Sequence, residues 1–358
     1  MQTNEKMVTA NSVTAQTHSL VKDSGSDDLI LDVRDLKVFY PIYGGVFYRR
    51  IGTIKAVDRI SFTLKKGEIL GLVGESGCGK STAGKALINL LKATVPGVEI
   101  EGQILFNTAS FGWVDLAPLS RRQMLPIRSE IQMIFQDPQS SLNPRLNVQQ
   151  IVEEPLQIHR PSMSKNERLE YVSNLLAKVG LNREQQNRYP HEFSGGQKQR
   201  IGIARALASH PKLIIADEPV SALDVSIQAQ VINLLQDLQK EFGFSYVFIA
   251  HDLSVVEHIS NRIAVMYLGN IVEIGPAHQV YRNPIHPYSQ ALLSSVPRPD
   301  PKRKKERVLL KGEIPSPAKK PSGCGFRTRC PIAKSDCAHQ VPPLLSKGTD
   351  RLAACPYV

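Results

Sequence analysis

Hydrophobic and polar positions follow two different periods along this chain, and the switches between them divide it into parts. Leu29 to Tyr40 (LILDVRDLKVFY) and Ala56 to Leu64 (AVDRISFTL) show the partial alternation of half-buried strands. A Gly- and Tyr-rich stretch between them, Pro41 to Arg50, reads as a loop. Lys65-Lys66-Gly67-Glu68 is a turn, and Glu68 to Val73 (EILGLV) predicts a short strand buried on both faces. Thr82 to Lys92 (TAGKALINLLK) predicts a helix. Residues 99–135 are mixed, with Glu130 to Phe135 (EIQMIF) a strand candidate. From about 137 to 192 the pattern turns helical. Asn147 to His159 is one segment; the capping box Ser164-Lys165-Asn166-Glu167 opens another, with Leu169, Val172, Leu175, Leu176 and Val179 apolar and Gly180 as its stop.

Strands and helices then alternate again. Gly196 to Ser209 predicts a helix, Leu213 to Ala216 a buried strand, Ser226 to Lys240 an amphipathic helix and Phe244 to Ala250 another strand. Ile263 to Leu268 and Ile271 to Ile274 flank the hairpin signal Gly269-Asn270. This order predicts an α/β fold over residues 29–280: a mostly parallel core sheet, an antiparallel β part at the N-terminus, and a helical insertion over about 137–192. Residues 1–28 lack aromatics, are rich in Thr, Ser, Asn and Asp, and read as a disordered tail. Prolines become frequent from Asn283, so residues 281–358 are expected to form a separate appendage.

Composition narrows the function classes. A length of 358 residues allows one large core and a smaller second unit, and 42% hydrophobic with 22% charged residues are globular values. No apolar run approaches the ~18 residues of a membrane span, and no apolar segment follows a basic start as in a secretory signal. The chain is therefore expected in the cytosol, or held at a membrane by partners. The formal charge of +11 reads either as solubility with local basic tails or as the mark of an anionic partner, a nucleotide, a nucleic acid or an anionic membrane surface. Lys302-Arg303-Lys304-Lys305 reads as a solvated linker, with lipid headgroups the alternative contact. No basic stripe is interleaved with aromatics, so nucleic acid is not expected.

The candidate chemistry centres on Gly74-Glu75-Ser76-Gly77-Cys78-Gly79-Lys80-Ser81-Thr82, which matches G-x-x-x-x-G-K-[ST] between a predicted strand and a predicted helix. Glycines let backbone N–H groups approach a polyphosphate at the helix N-terminus; Lys80 would reach the β- and γ-phosphates, and the Ser81 hydroxyl would ligate Mg²⁺. Leu213 to Asp217 is an apolar strand ending in a carboxylate that can hold Mg²⁺ through water, and the adjacent Glu218 is placed to orient or deprotonate a water. Ser194-Gly195-Gly196-Gln197 opens a helix and offers a second anion-facing N-terminus. One nucleotide does not need two such sites in one chain, whereas two chains facing head to tail would use both.

With these residues the chain resembles the nucleotide-binding subunits of ATP-binding cassette (ABC) transporters. The matching motifs are a Walker A loop from Gly74 to Ser81, a Q-loop at Gln136, the signature Ser194 to Gln197, and a Walker B strand ending at Asp217 with Glu218. A D-loop at Ser221-Ala222-Leu223-Asp224 and a switch histidine, His251, complete the set. The resemblance implies ATP and Mg²⁺ as ligands. Tyr40, with Phe39 as the alternative, would stack on adenine; Lys80 and Thr82 would contact phosphates; Ser81 and Gln136 would contact Mg²⁺. Glu218 would be the general base and His251 would hold the γ-phosphate. Ser194 and Gly196 would touch a nucleotide on an opposite subunit. Phe193 stands where the family more often has Leu, a departure expected to be tolerated, and Cys78 falls at a variable position of the loop.

Asn283 to Leu293 (NPIHPYSQALL) resembles a segment specific to ATPases of oligopeptide, dipeptide and nickel importers. That implies a heterodimer with a paralogous ATPase, two transmembrane permease subunits, an extracytoplasmic solute-binding protein acting indirectly, and a place on the cytoplasmic face of the membrane. Nickel or glutathione import, and a soluble ABC protein acting on ribosomes or DNA, are the competing readings. Cys324, Cys330, Cys337 and Cys355 are separated by five, six and seventeen residues. Without C-x-x-C pairs this spacing disfavours a zinc ribbon and permits an iron–sulfur cluster. The subfamily resemblance likewise implies a [4Fe–4S] cluster, and Zn²⁺ and free or disulfide-linked thiols are the alternatives. His286 and His339 read as solvated loop histidines.

Overall fold

A computed structural model of the chain describes residues 28–45, 47, 49–295, 310 and 312–358. The expected tail and the basic run Lys302–Lys305 lie outside the described residues, except for Asp28.

Two sheets organise the fold. The first is antiparallel, in the order β2-β1-β4-β5, with β1 Leu29–Gly44, β2 Arg49–Lys65, β4 Glu99–Thr108 and β5 Gly112–Asp115. The expectation of a loop over Pro41–Arg50 is overturned here. β1 and β2 stay paired out to Gly44 opposite Arg49, with bulges along the way, because each strand supplies a continuous ladder partner for the other. Composition alone favoured a turn at Pro41, Gly44 and Gly45, and the ladder overrides it except at the tip.

The second sheet runs β11-β12-β10-β9-β3-β8-β7-β6, with β3 Ile69–Val73, β6 Ile131–Ile134, β7 Leu213–Asp217, β8 Ser245–Ile249, β9 Arg262–Tyr267, β10 Asn270–Pro276, β11 Leu345–Ser346 and β12 Leu352–Ala353. Strands β6, β7, β8, β3 and β9 pair in parallel, and β10, β12 and β11 continue antiparallel. Each residue of β3, β7 and β8 is buried. Their alternate side chains divide between two cores: Leu213, Ile215, Val247 and Ile249 face the antiparallel sheet, whereas Ile214, Ala216, Tyr246 and Phe248 face the helices on the other side. This explains why these strands read as unbroken apolar runs.

Helix α1, Lys80–Leu87, follows β3. α2, Val148–His159, and α3, Lys165–Lys178, lie in the helical stretch, each opened by a capping box, at Asn147 and Ser164. α4 is Gly195–Leu207, α5 Val225–Phe242, α6 Leu253–Ile259 and α7 Pro287–Ser294. α5 ends at Gly243, held at φ 72°, a left-handed conformation that glycine adopts readily. No helix among the described residues is long and apolar enough to cross a membrane.

Candidate active site

The site forms at the C-terminal ends of four adjacent parallel strands, β3, β8, β7 and β6, where open α/β sheets bind ligands. Residues 74–79 connect β3 to α1. Gly79 sits at φ 105° as the N-cap of α1, and a Cβ there would come 2.2 Å from the carbonyl oxygen of Ala56 on β2. At Gly74 the corresponding distance to the Met266 carbonyl is also 2.2 Å. The loop is thus pressed between β2 and β9 at a spacing only glycine permits. The first turn of α1 carries no acidic residue, so its N-terminus favours an anion. Ser76 and Gly77 are exposed and Thr82 is half-buried. The buried Lys80 donates from Nζ to the carbonyls of Gly74 at 2.8 Å and Glu75 at 3.1 Å. Cys78 faces the core, where burial pushes its thiol pKa up. Its backbone N–H donates to the Glu75 carbonyl at 3.3 Å.

Ser81 Oγ donates to Asp217 Oδ1 at 2.7 Å, bringing together residues 136 positions apart. Burial pushes the Asp217 carboxyl upward, partly offset by that hydrogen bond and by Lys85 and Lys80. One residue on, Glu218 adopts φ 46°, a left-handed conformation costly for a side chain with a Cβ and held by the surrounding structure. Its backbone N–H donates to the Ile249 carbonyl at 2.9 Å. Gln136 Nε2 donates to Glu218 Oε2 at 3.0 Å, and His251 Nδ1 lies 3.2 Å from the same oxygen. The ends of β6 and β8 therefore each deliver one side chain, Gln136 and His251, to the Glu218 carboxylate that follows β7. A cavity of about 40 Å³, lined by Glu218, Ser221 and His251 among others, adjoins them, and that volume accommodates a water.

Ser194 is the N-cap of α4: its Oγ accepts from Gln197 N at 3.4 Å and its N donates to Gln197 Oε1 at 3.0 Å. The Gly195 Cα faces Leu223 of the D-loop stretch, and a Cβ at Gly196 would press 2.5 Å from Ile227. Phe193 is buried in the helix-side core. No hydrogen bond or ion pair among the described residues joins Ser194–Gln197 to the Glu218 cluster. Tyr40, on β1, pairs with Ile54, two residues before Ala56, whose carbonyl abuts Gly79, and its partly buried side chain packs against the core on the antiparallel-sheet side. Phe39 instead lies under Lys55, 5.8 Å from its Nζ.

The C-terminal part is tied to this frame by buried polar contacts that sequence patterns did not predict. Glu273 on β10 is fully buried and accepts from the N–H groups of Ile285 and His286 and from Arg351 Nη2 at 2.6 Å. His286 is not solvated as expected: it is buried, its Nδ1 accepts from Tyr288 N at 3.1 Å to cap α7, and burial lowers its pKa to about 4. His339 is exposed. Cys324, Cys330, Cys337 and Cys355 are unpaired and line one largely apolar cavity of about 400 Å³. Among the described residues no three His, Cys, Asp or Glu side chains are grouped to hold a metal ion, so the expected cluster finds no preformed ligand set. The chain between these cysteines is mostly turns and irregular backbone, with one 3₁₀ segment and the two-residue strands β11 and β12, which leaves the direction of each thiol to tertiary packing.

Fold and site together define a P-loop nucleoside triphosphatase. The family profile described as ABC transporter matches residues 57–221, and that described as oligopeptide/dipeptide transporter, C-terminal region, matches residues 272–337. The chain is 55% identical over 335 residues to the oligopeptide transport ATP-binding protein AppF of Bacillus subtilis strain 168, covering 93% of this chain and 98% of the relative. It is 55% identical over 320 residues to the oligopeptide transport ATP-binding protein OppF of Escherichia coli K12, covering 88% and 92%. Among solved structures it is similar to the bacterial ABC transporter cassette MJ0796 in dimeric form, with 28% identity, a TM-score of 0.58 and coverage of 69% of this chain and 99% of that one. The same values hold for a post-hydrolysis dimer of that cassette bound to ADP and Pi. This chain belongs to the ABC transporter family, as an ATP-binding subunit of the oligopeptide/dipeptide type, and it is an ATPase.

Proposed function

We propose that this chain is the ATP-hydrolysing subunit that powers import of di- or oligopeptides through a membrane ABC transporter. The observation that carries it is the convergence of Gln136 and His251 on the Glu218 carboxylate, beside the Ser81–Asp217 pair. In this reading the loop amides from Gly74 to Gly79, with Lys80 and Thr82, hold the phosphates, and Tyr40 stacks on the base. Ser81, Asp217 and Gln136 present hydroxyl, carboxylate and amide oxygens, the hard donors that suit Mg²⁺. Bound there, the ion supplies charge neutralisation at the transferring phosphoryl group. Glu218 takes the proton of the attacking water, and His251 and Gln136 hold its carboxylate in place. Ser194, Gly195, Gly196 and Gln197 complete the pocket of an opposing cassette; the support is that they form the capped N-terminus of α4, which favours an anion.

The domain reading follows: an ABC nucleotide-binding domain over 29–280 with a helical insertion near 137–192, and an importer-type appendage over 281–358. The partners are a paralogous second ATPase, two transmembrane permease subunits and, indirectly, an extracytoplasmic solute-binding protein, which sets this chain on the cytoplasmic face of the membrane. For the cysteines we keep a [4Fe–4S] cluster as the finer proposal, supported by four unpaired thiols on one cavity. Iron and sulfide analysis of anaerobically purified protein tests it, and zinc in their place overturns it. The solute is tested by co-purifying the chain with its membrane subunits and measuring stimulated ATP hydrolysis. Stimulation by di- or oligopeptides is expected; stimulation by nickel or glutathione alone contradicts the reading.

A further inference from the structure

Glu75 places a carboxylate within the loop that must wrap a polyanion. That is an electrostatic liability, since a negative charge in that loop, partly shielded from water, would repel a bound polyphosphate. The appendage answers it. Arg329, between Cys324 and Cys330, reaches Glu75 with both terminal nitrogens, Nη1 to Oε2 at 2.9 Å and Nη2 to Oε1 at 3.2 Å. The guanidinium is nearly buried, with 9% of its side chain exposed against 25% for Glu75. It lies 6.0 Å from the centre of the Tyr267 ring, which Phe326 meets edge-on at 5.2 Å. Buried Tyr288 of α7 accepts from the Glu75 N–H at 2.9 Å. The Glu75 carbonyl accepts from Lys80 Nζ at 3.1 Å. Every polar group of Glu75 is thus engaged, two of them by the appendage and one by the lysine that meets the phosphates.

We propose that Arg329 is a positioning residue for ATP binding: by pairing with Glu75 in a bidentate fork it cancels the carboxylate's charge at the phosphate loop, so that nucleotide affinity depends on a residue of the cysteine-bearing appendage. The planar fork matters, because a two-point contact fixes both charge and orientation. The inference rests on residues 74–82 being the ATP phosphate loop.

The test uses the full-length chain, with Mg·ATP affinity measured by displacement of a fluorescent nucleotide and KM and kcat measured in the assembled transporter. Arg329→Ala is expected to weaken ATP binding and raise KM by about tenfold, equivalent to about 1.4 kcal/mol, with kcat within about twofold. Arg329→Lys keeps the charge but loses the two-point contact, and is expected to recover the affinity only in part. The decisive variant is Glu75→Gln in the Arg329→Ala background, which removes the unpaired charge and returns KM toward that of the parent. If the double variant binds ATP as poorly as Arg329→Ala, the arginine is only a mechanical anchor and the proposal fails. An unchanged KM in Arg329→Ala also ends it. Lys80→Ala, run in parallel, separates the two readings. If it binds ATP normally, the phosphate-loop assignment itself is wrong; if it loses binding while Arg329→Ala does not, only the present inference falls.

Discussion

Around Glu218, side chains from separate strand ends touch one carboxylate within 3.2 Å, whereas the four C-terminal cysteines share a cavity without forming a ligand set. The difference lies in what fixes each group. Gln136, Asp217, Glu218 and His251 follow adjacent parallel strands whose register is set by ladder hydrogen bonds and by burial on both faces, so the backbone alone brings them together. The cysteines sit outside α-helices and strands, and the frame around them is held by other residues: Glu273 with Arg351, His286 capping α7, and Arg329 on Glu75. A site on strand ends is preorganised by the fold, while a site on turns waits for packing or a ligand.

The largest effect that would separate the two regions is at Glu273. Removing one partner of a buried ion pair leaves an uncompensated charge and costs about 3–5 kcal/mol. Glu273→Ala is therefore expected to loosen the appendage by that order. Hydrogen exchange should lose protection over residues 283–295 and 351–355, while β3, β7 and β8 keep theirs. Equal loss in both regions would show that they form one cooperative unit.

A smaller effect is expected from pH. Burial holds His286 neutral, with its pKa lowered from 6.5 to about 4. The unfolded chain gains this proton near pH 6.5 and the folded chain only near pH 4. The contribution of His286 to stability is thus intact above pH 6.5 and declines as pH falls toward 4, by up to about 3 kcal/mol at 1.36 kcal/mol per pKa unit. His286→Asn, which keeps an acceptor for the Tyr288 N–H, should flatten that part of a urea-melt pH series. An unaltered slope would mean that the ring is not buried in solution.

The grouping of Ser81, Gln136, Asp217, Glu218 and His251 was legible in the sequence for the same physical reason that it is preorganised. Ser81 and Asp217 are 136 positions apart, yet each follows an apolar parallel strand, and parallel strands align their C-terminal ends. The β1–β2 ladder is not legible locally, because Pro41, Gly44 and Gly45 are turn formers and only the partner strand reveals the pairing. The ties to the appendage left no periodic trace. Arg329 and Glu75 are 254 positions apart and Arg351 and Glu273 are 78 apart, and of these four only Glu273 lies in a strand. Cysteine spacing suggested a ligand set, but spacing dictates geometry only where regular structure carries it.

The most direct test of the central claim, that hydrolysis is centred on Glu218, is a paired measurement of ATP binding and ATP turnover in the Glu218→Gln variant of the assembled transporter. The amide keeps the size of the side chain and a contact to Gln136 and His251, but it cannot take a proton. ATP should bind as tightly as in the parent, with turnover down by about 10²-fold or more. Hydrolysis near the parent rate would contradict the account.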